Sequence, residues 1–341
     1  MSLVLNDDYN SGVTDLEVKP PATPPSAKPR VRHRQWGGAA LGLLLGLGGL
    51  FAGRLGHLWP AFDVFSQFGA QFVFVVFAFA IATFMPRFKA MIGVILATCM
   101  VIAYGAWPHL VSHPLAKGPY PLAQGEHAFR FAHFNTREIN RNNDAMVTEI
   151  ERLAPDVMSL IEFDPRKLPM LQKLRQDYPY QYVCHGVADC NLAIISKFPI
   201  LAIAAKTRWE GPPLISVRLG GALNGLTVYA VHTTRFPHSR AQLAQINALA
   251  RRLEGEVGPV VVMGDFNATP FSRITTTLEA ASGLNRLTQL PTWPSRLGLP
   301  QLAIDHVFAS DGIRVLADQQ IGDNAGSDHY PIVVTLGITP N

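Results

Sequence analysis

The chain has 341 residues and a formal net charge of +4, more length than one domain of roughly 200 residues needs. Residues 120–341 hold 20 Lys+Arg against 20 Asp+Glu, a difference of zero, so the +4 resides in the N-terminal third. A neutral domain lacks the broad basic field with which strong non-specific nucleic-acid binders attract phosphate.

Residues 1–35 are polar and include Pro20-Pro21-Ala22-Thr23-Pro24-Pro25, extended material that builds no core, so this segment is expected to be disordered. Residues 36–107 are almost continuously apolar. They are expected to form three transmembrane helices, at about Trp36–Gly56, Phe62–Met85 and Ala90–Trp107, each near the roughly 20 residues that cross a hydrocarbon core. Three spans in series after a polar lead exclude a cleaved signal peptide. Asp63, Gln67 and Gln71 belong at an interfacial end of the second span.

Lys28, Arg30, Arg32 and Arg34 precede the first span, and Arg87 and Lys89 separate the second from the third. The excess of basic residues on cytoplasmic loops then places the N-terminus in the cytoplasm and everything after Trp107 outside it. In a bacterium this is a multi-pass protein of the inner membrane with a periplasmic C-terminal domain. Gly38, Gly42 and Gly46 share one face of the first span, where helices approach closely, and suggest helix–helix self-association within the bilayer.

Residues 108–126 are rich in Pro and Gly and are expected to link the membrane to a globular domain at 127–341. Phe129–Asn135 alternates as a strand, Asp144–Leu153 carries helical apolar spacing that Pro155 stops, Val157–Phe163 is a strand, and Lys167–Asp177 a helix. Strands follow at 182–184, 192–196, 201–206, 214–219 and 226–232. A helix at 240–253, a strand into Gly264, a short helix at 274–281 and strands at 304–309, 313–318 and 331–336 close the chain. No internal sequence repeat is visible. Short strands with interspersed helices predict two face-to-face sheets with helices outside, and active residues on loops at one end.

Cys184 and Cys190 flank a five-residue turn that would bring them together. A disulfide, allowed in an oxidising compartment, competes with a free pair of thiols, while two thiols alone make a poor zinc site.

The chemistry sits where apolar strands end in polar residues: Asn135, Glu162, His232, Asp265 with Asn267, Asp305 with His306, and Asp328 with His329. Singly, each has a structural explanation, as a turn residue, a helix cap or a satisfied core histidine. Together they suit a hydrated divalent cation at a phosphate ester. Glu162 has no basic neighbour and offers a carboxylate to Mg²⁺, which prefers oxygen ligands. Asp265 and Asn267 reach one point, where one accepts a proton from water and the other donates to a phosphate oxygen. Asp305 is placed to orient the His329 imidazole, as carboxylates do in general-base dyads.

Phe134-Asn135-Thr136, Leu160-Ile161-Glu162-Phe163, Val231-His232, Gly264-Asp265-Phe266-Asn267, Ile304-Asp305-His306 and Gly326-Ser327-Asp328-His329 stand in the order of the motifs of the endonuclease/exonuclease/phosphatase (DNase I-like) superfamily, which residues 127–338 resemble. The resemblance implies an α/β fold, a four-layered α/β sandwich, and Mg²⁺-dependent hydrolysis of phosphodiesters or phosphomonoesters, with Mn²⁺ as an alternative metal. It implies Glu162 as the principal metal ligand with Asn135 and Asp328 in or beside the metal shell. It also implies His232, Asp265, Asn267, Asp305 and His329 as catalytic residues, leaving open whether Asp265 or the His329–Asp305 pair is the base. Arg235, three residues past His232, is a candidate phosphate contact, and Trp293 either stacks on substrate or plugs a loop. The Trp-Cys-Asp-Arg run of inositol phosphatases is absent. The expectation is therefore a membrane-anchored phosphoesterase acting on a lipid headgroup, a small diester or a nucleic acid, with an extracytoplasmic nuclease or a non-catalytic tethered scaffold as alternatives.

Overall fold

The computed structural model describes residues 30–84, 120–184, 190–208, 210–296, 298 and 302–339. The third expected span, most of the 108–126 segment and residues 1–29 lie outside the described residues. A helical hairpin comes first: α1 (Arg30–Leu55), a 3₁₀ turn at Pro60–Phe62, α2 (Asp63–Ser66) and α3 (Gly69–Phe84). Among the described residues α1 runs from Arg30, so it includes part of the segment expected to be disordered.

Of the three transmembrane helices expected at 36–107, only the first two fall among the described residues. No single described helix is long and apolar enough to cross a membrane. Ala40–Leu55 of α1 is an apolar helix, and the second stretch is broken, with Pro60–Ser66 and Gly69–Ile81 bent by 60°; that bent pair together passes by length and composition. The glycine face of α1 meets α3 of the same chain: a Cβ on Gly42 would lie 2.4 Å from the Phe79 ring, and one on Gly46 2.7 Å from Val76. Close packing of small residues is thus used within the hairpin.

Next in chain order come β1 (His127–Asn135), α4 (Asn143–Leu153), β2 (Val157–Ile161), α5 (Leu168–Lys173), β3 (Tyr180–Cys184), β4 (Leu192–Ser196), β5 (Ile200–Lys206), β6 (Leu214–Leu219) and β7 (Thr227–His232). They are followed by α6 (Ser239–Leu253), β8 (Val260–Asp265), α7 (Arg273–Ser282), β9 (Asn285–Arg286), β10 (Asp305–Ala309), β11 (Arg314–Ile321) and β12 (Ile332–Ile338). Local chemistry sets several boundaries. The Asn142 side chain caps α4 by accepting from Ala145 N–H, and Ala154 ends it in the left-handed region before Pro155. The helix expected over Lys167–Asp177 is shorter, a 3₁₀ turn plus α5, because the chain unwinds after Lys173 to bury Tyr178.

The strands form two six-stranded sheets, ordered β11-β12-β1-β2-β4-β3 and β5-β6-β7-β8-β10-β9. Each has a parallel pair at its centre, β1 with β2 and β7 with β8, flanked by antiparallel strands. The sequence shows no repeat, yet the two halves share one topology. Phe131, Ile161, Ile194, Val217, Met263 and Val334 belong to the apolar layer between the sheets. Phe134, Met158 and Ile150 join the first sheet to α4 and α5, and Tyr229, Val262 and Ile246 join the second to α6 and α7. The order helix, sheet, sheet, helix is a four-layered sandwich, with both sheet faces covered, which explains strands that read as continuous apolar runs. Cys184 and Cys190 are disulfide-bonded, with a Cα–Cα distance of 5.5 Å.

Candidate active site

Side chains alternate along a strand, so residues two apart share a face. Phe129 and Phe131 lie in the inter-sheet layer, and His133 and Asn135 continue that row. The same rule takes Val228 and Ala230 to His232, Val261 and Met263 to Asp265, and Ala309 and Val307 to Asp305. The apolar layer thus ends in polar side chains at one edge of both sheets. Pairing brings them level, with His232 opposite Asp265 and Asp305 opposite Asp265. Gly264 is required there, since a Cβ would stand 1.9 Å from the Val231 carbonyl oxygen. Glu162 and Asn267 both adopt positive φ, 53° and 47°, which turns them back towards the same point.

Asn135 Nδ2 donates to Asp265 Oδ2 at 2.9 Å and to Glu162 Oε1 at 3.2 Å, while its Oδ1 accepts from Arg137 N–H. Asp265 Oδ1 accepts from Asn267 N–H at 2.8 Å, and Asp265 Oδ2 lies 3.8 Å from both His232 Nε2 and His329 Nε2. His329 Nδ1 and Asp305 Oδ2 are 2.8 Å apart, and Thr292 Oγ1 donates to the same oxygen. On the other side of Asp305, His133 Nε2 sits 2.8 Å from Oδ1, with His133 Nδ1 at 2.9 Å from Ser159 Oγ. Ser327 Oγ donates to the Asn135 carbonyl and accepts from His329 N–H, fixing the His329 loop to the end of β1.

Burial divides the charges. Burial and the neighbouring Asp305 carboxylate push the Asp265 carboxyl above its usual range. Burial also opposes ionisation of Asp305, but the His329 charge and the bonds from His133 and His329 hold it well below the usual range. Although burial disfavours its charge, His329 is raised to about 10 by Asp305 and Asp265. Glu162 is held below its usual range despite burial, chiefly by His232 and the Glu138 N–H. His306 lies outside this group: its Nε2 meets the Ala268 carbonyl, and burial lowers it to about 3.

The site opens into a cleft of about 670 Å³ whose lining includes Glu162, His232, Asp265 and His329, with exposed Arg235 and half-buried Trp293 on the rim. Ligand atoms of Glu162, His232 and Asp265 lie within 4.8 Å of one another, as do those of Asp265, Asp305 and His329. Asp328 stands apart from both groups; it lines the cleft with its carboxylate 3.7 Å from Arg137 Nε. Asn135, expected beside a metal, directs its amide nitrogen at the two carboxylates. The Glu162 carboxylate is an oxygen donor that fits a hard divalent cation of the Mg²⁺ or Mn²⁺ type, whereas the Asn135 amide nitrogen donates hydrogen bonds and holds the carboxylates in place.

Three contributors escaped the sequence reading. His133 and Ser159 could have been found by period-two spacing from Asn135 and Ile161. Lys167 could not: it is fully buried, and its Nζ donates to the carbonyls of Arg137, Glu138 and Glu162, tying together the loops that carry the Glu162 carboxylate. Burial lowers it to about 8.

Carboxylates, imidazoles and an amide thus converge at one edge of a double sheet, the kind of site found in a family whose members are metal-dependent phosphoester hydrolases. The chain belongs to the Endonuclease/Exonuclease/phosphatase family, whose sequence profile matches residues 132–329. Among solved structures, it is similar to a humanized TDP2 of D. rerio (14% identity, 61% of this chain, 98% of that chain, TM-score 0.51) and to SmcL (16% identity, 62% and 99%, TM-score 0.50). The beta toxin of Staphylococcus aureus, solved with bound magnesium ions, is at 14% identity, 61% and 99% coverage and TM-score 0.49. No curated protein sequence matches the chain.

Proposed function

We propose that this protein is a membrane-anchored, Mg²⁺-dependent phosphoesterase whose catalytic domain lies outside the cytoplasm. The observation that carries the reading is the convergence of Glu162, Asp265, His232 and His329 on one cleft from both sheets. Glu162, with Asn135 beside it, would hold the metal, which when bound supplies Lewis-acid polarisation of a phosphoryl oxygen. Asp265 accepts the proton of the attacking water: its Oδ1 is fixed by Asn267 N–H, its Oδ2 by Asn135, and its carboxylate borders the cleft. His329, flanked by Asp305 and Asp265, is an imidazolium at neutral pH. It therefore serves as a cationic donor to the phosphoryl group, and the choice of base falls on Asp265. His232, Asn267 and Arg235 contact the scissile phosphate, Asp328 borders the metal shell, and Trp293 packs against the rest of the substrate.

The docking of the hairpin supports the location. The turn between α1 and α3 is bonded to the catalytic domain, so both lie on one side of any membrane that α1 crosses. With the arginine-rich start of α1 cytoplasmic, that side is extracytoplasmic. The full chain, purified in detergent with Mg²⁺, should hydrolyse bis(p-nitrophenyl) phosphate or p-nitrophenyl phosphate and lose the activity to EDTA. Folded protein inactive on both would overturn the reading.

A further inference from the structure

The turn of the hairpin is built into the catalytic domain. Asp63 and Gln67 are both buried. The Asp63 carboxylate accepts from Ser272 Oγ and from Arg273 N–H at 2.7 Å, and the Gln67 Oε1 accepts from Thr269 N–H at 2.6 Å. Arg273 Nη1 returns a bond to the Gly56 carbonyl. A carboxylate buried without such donors would cost several kcal/mol, on the order of a lost charged hydrogen bond or more. The contact is therefore specific to these partners.

Its position matters for the cleft. Thr269 follows Asn267 by two residues, and the Phe68 ring stands edge-on to Phe236, centroids 5.9 Å apart. Asn267 and Phe236 both line the cleft. The turn thus braces one wall of the catalytic opening, where a Pro-rich tether alone would have left the domain free to swing. Large apolar side chains are exposed on the hairpin, Leu41, Leu44, Leu45 and Phe51 on α1 and Leu58 and Trp59 at the tip, Trp59 being 62% exposed, with Arg54 and His57 exposed beside them. Tryptophan at the end of an apolar helix is suited to a membrane–water interface. The cleft lining combines the polar groups Glu162, Asp265 and His329 with the apolar side chains Phe236, Trp293 and Ile304.

We infer that the docked turn holds the mouth of the cleft at the bilayer surface, so that the substrate is a phosphoester carried by a membrane amphiphile. The phosphate meets Glu162, Asp265 and His329, and the apolar lining residues serve the lipid-borne portion. The inference rests on the phosphoesterase reading above and on the hairpin entering a bilayer.

The test uses the full chain reconstituted with Mg²⁺ in vesicles of phosphatidylethanolamine, phosphatidylglycerol, phosphatidate, cardiolipin and sphingomyelin. Release of water-soluble phosphorus is followed beside hydrolysis of bis(p-nitrophenyl) phosphate. Lipid turnover should exceed that of the soluble diester by about 100-fold in kcat/KM, since both enzyme and substrate are confined to one surface. Asp63→Ala combined with Gln67→Ala should lower lipid turnover about tenfold or more, as misplacement of the cleft predicts, and lower soluble diester hydrolysis far less. Phe68→Leu, which keeps an apolar contact, should retain lipid turnover, and unchanged thermal unfolding would establish that the double variant folds. Soluble diester hydrolysis without lipid turnover overturns the inference and leaves the phosphoesterase reading standing. Equal losses on both substrates in a folded double variant also overturn it. Failure on both substrates by the wild-type chain counts against the phosphoesterase reading itself.

Discussion

The two halves of the sandwich share a topology and differ in what they place at the same point of it. In one, the central parallel pair ends in Asn135 and, one residue beyond the strand, Glu162; in the other it ends in His232 and Asp265. Glu162 is half-buried and held below its usual range, whereas Asp265 is buried and pushed above it. One scaffold thus presents two carboxylates whose surroundings drive them apart, the arrangement by which acid–base roles are divided in a site. The half that keeps its carboxylate ionised suits cation binding; the half that buries its carboxylate suits proton transfer.

The sharpest way to break that comparison is to remove each carboxylate charge. Asp265→Asn should reduce kcat by about 10³-fold or more, the scale of a lost general base, with the metal requirement little changed. Glu162→Gln should instead raise the Mg²⁺ concentration for half-maximal activity by at least about tenfold, with activity partly restored at high Mg²⁺. Steady-state rates across a Mg²⁺ titration distinguish the two. Interchanged signatures would mean that the roles are assigned to the wrong halves.

His133 sharpens the comparison further, because it crosses from one half to the other. It reaches from β1 to Asp305 of β10, so the dyad of the second sheet is oriented from the first. His133→Ala leaves buried Asp305 with one fewer partner and should cost about 1–3 kcal/mol of stability, read from the denaturation midpoint. His329 loses part of its orientation, so kcat should fall about tenfold. Unchanged kcat with lowered stability would make His133 a structural residue alone.

Most of the catalytic sandwich was legible because strand ends carry their chemistry in short contiguous runs. Asp265 and Asn267 announce themselves after an apolar strand, and period-two alternation fixes which residues face inward. What stayed hidden was long-range. His133 and Asp305 are 172 residues apart, and Lys167 meets Arg137 from 30 residues away. Asp63 was legible as an interfacial polar residue, but its partners Ser272 and Arg273 are more than 200 residues further on. The second apolar stretch carries Asp63 and Gln67 at its start, which read equally well as an interfacial end and as the 60° bend at the docked turn. The two-residue strand β9 has no pattern of its own and exists because β10 pairs with it.

The smallest expected effect follows from His329, which sits between the carboxylates of the second sheet, with Asp328 also near. Its value in the folded chain, about 10, lies above the ordinary 6.5 it would have when unfolded. The folded state therefore binds more protons than the unfolded one between those values, and stability must fall as pH rises. The contribution is complete below about 6.5 and lost by the time pH passes about 10. The Asp305 contribution has the opposite sense and is lost only on the acid side, so it does not mask this slope. In chelator, the unfolding temperature of the full chain should drop by about 2–4 °C between pH 7 and pH 8, below the range where Lys167, lowered to about 8, contributes a slope of opposite sign, since 1 kcal/mol corresponds to about that shift for a domain of this size. His329→Gln should flatten that slope while lowering stability near neutrality. A wild-type slope that survives the substitution would show that His329 is not held as an imidazolium, and the assignment of the base to Asp265 would lose its electrostatic support.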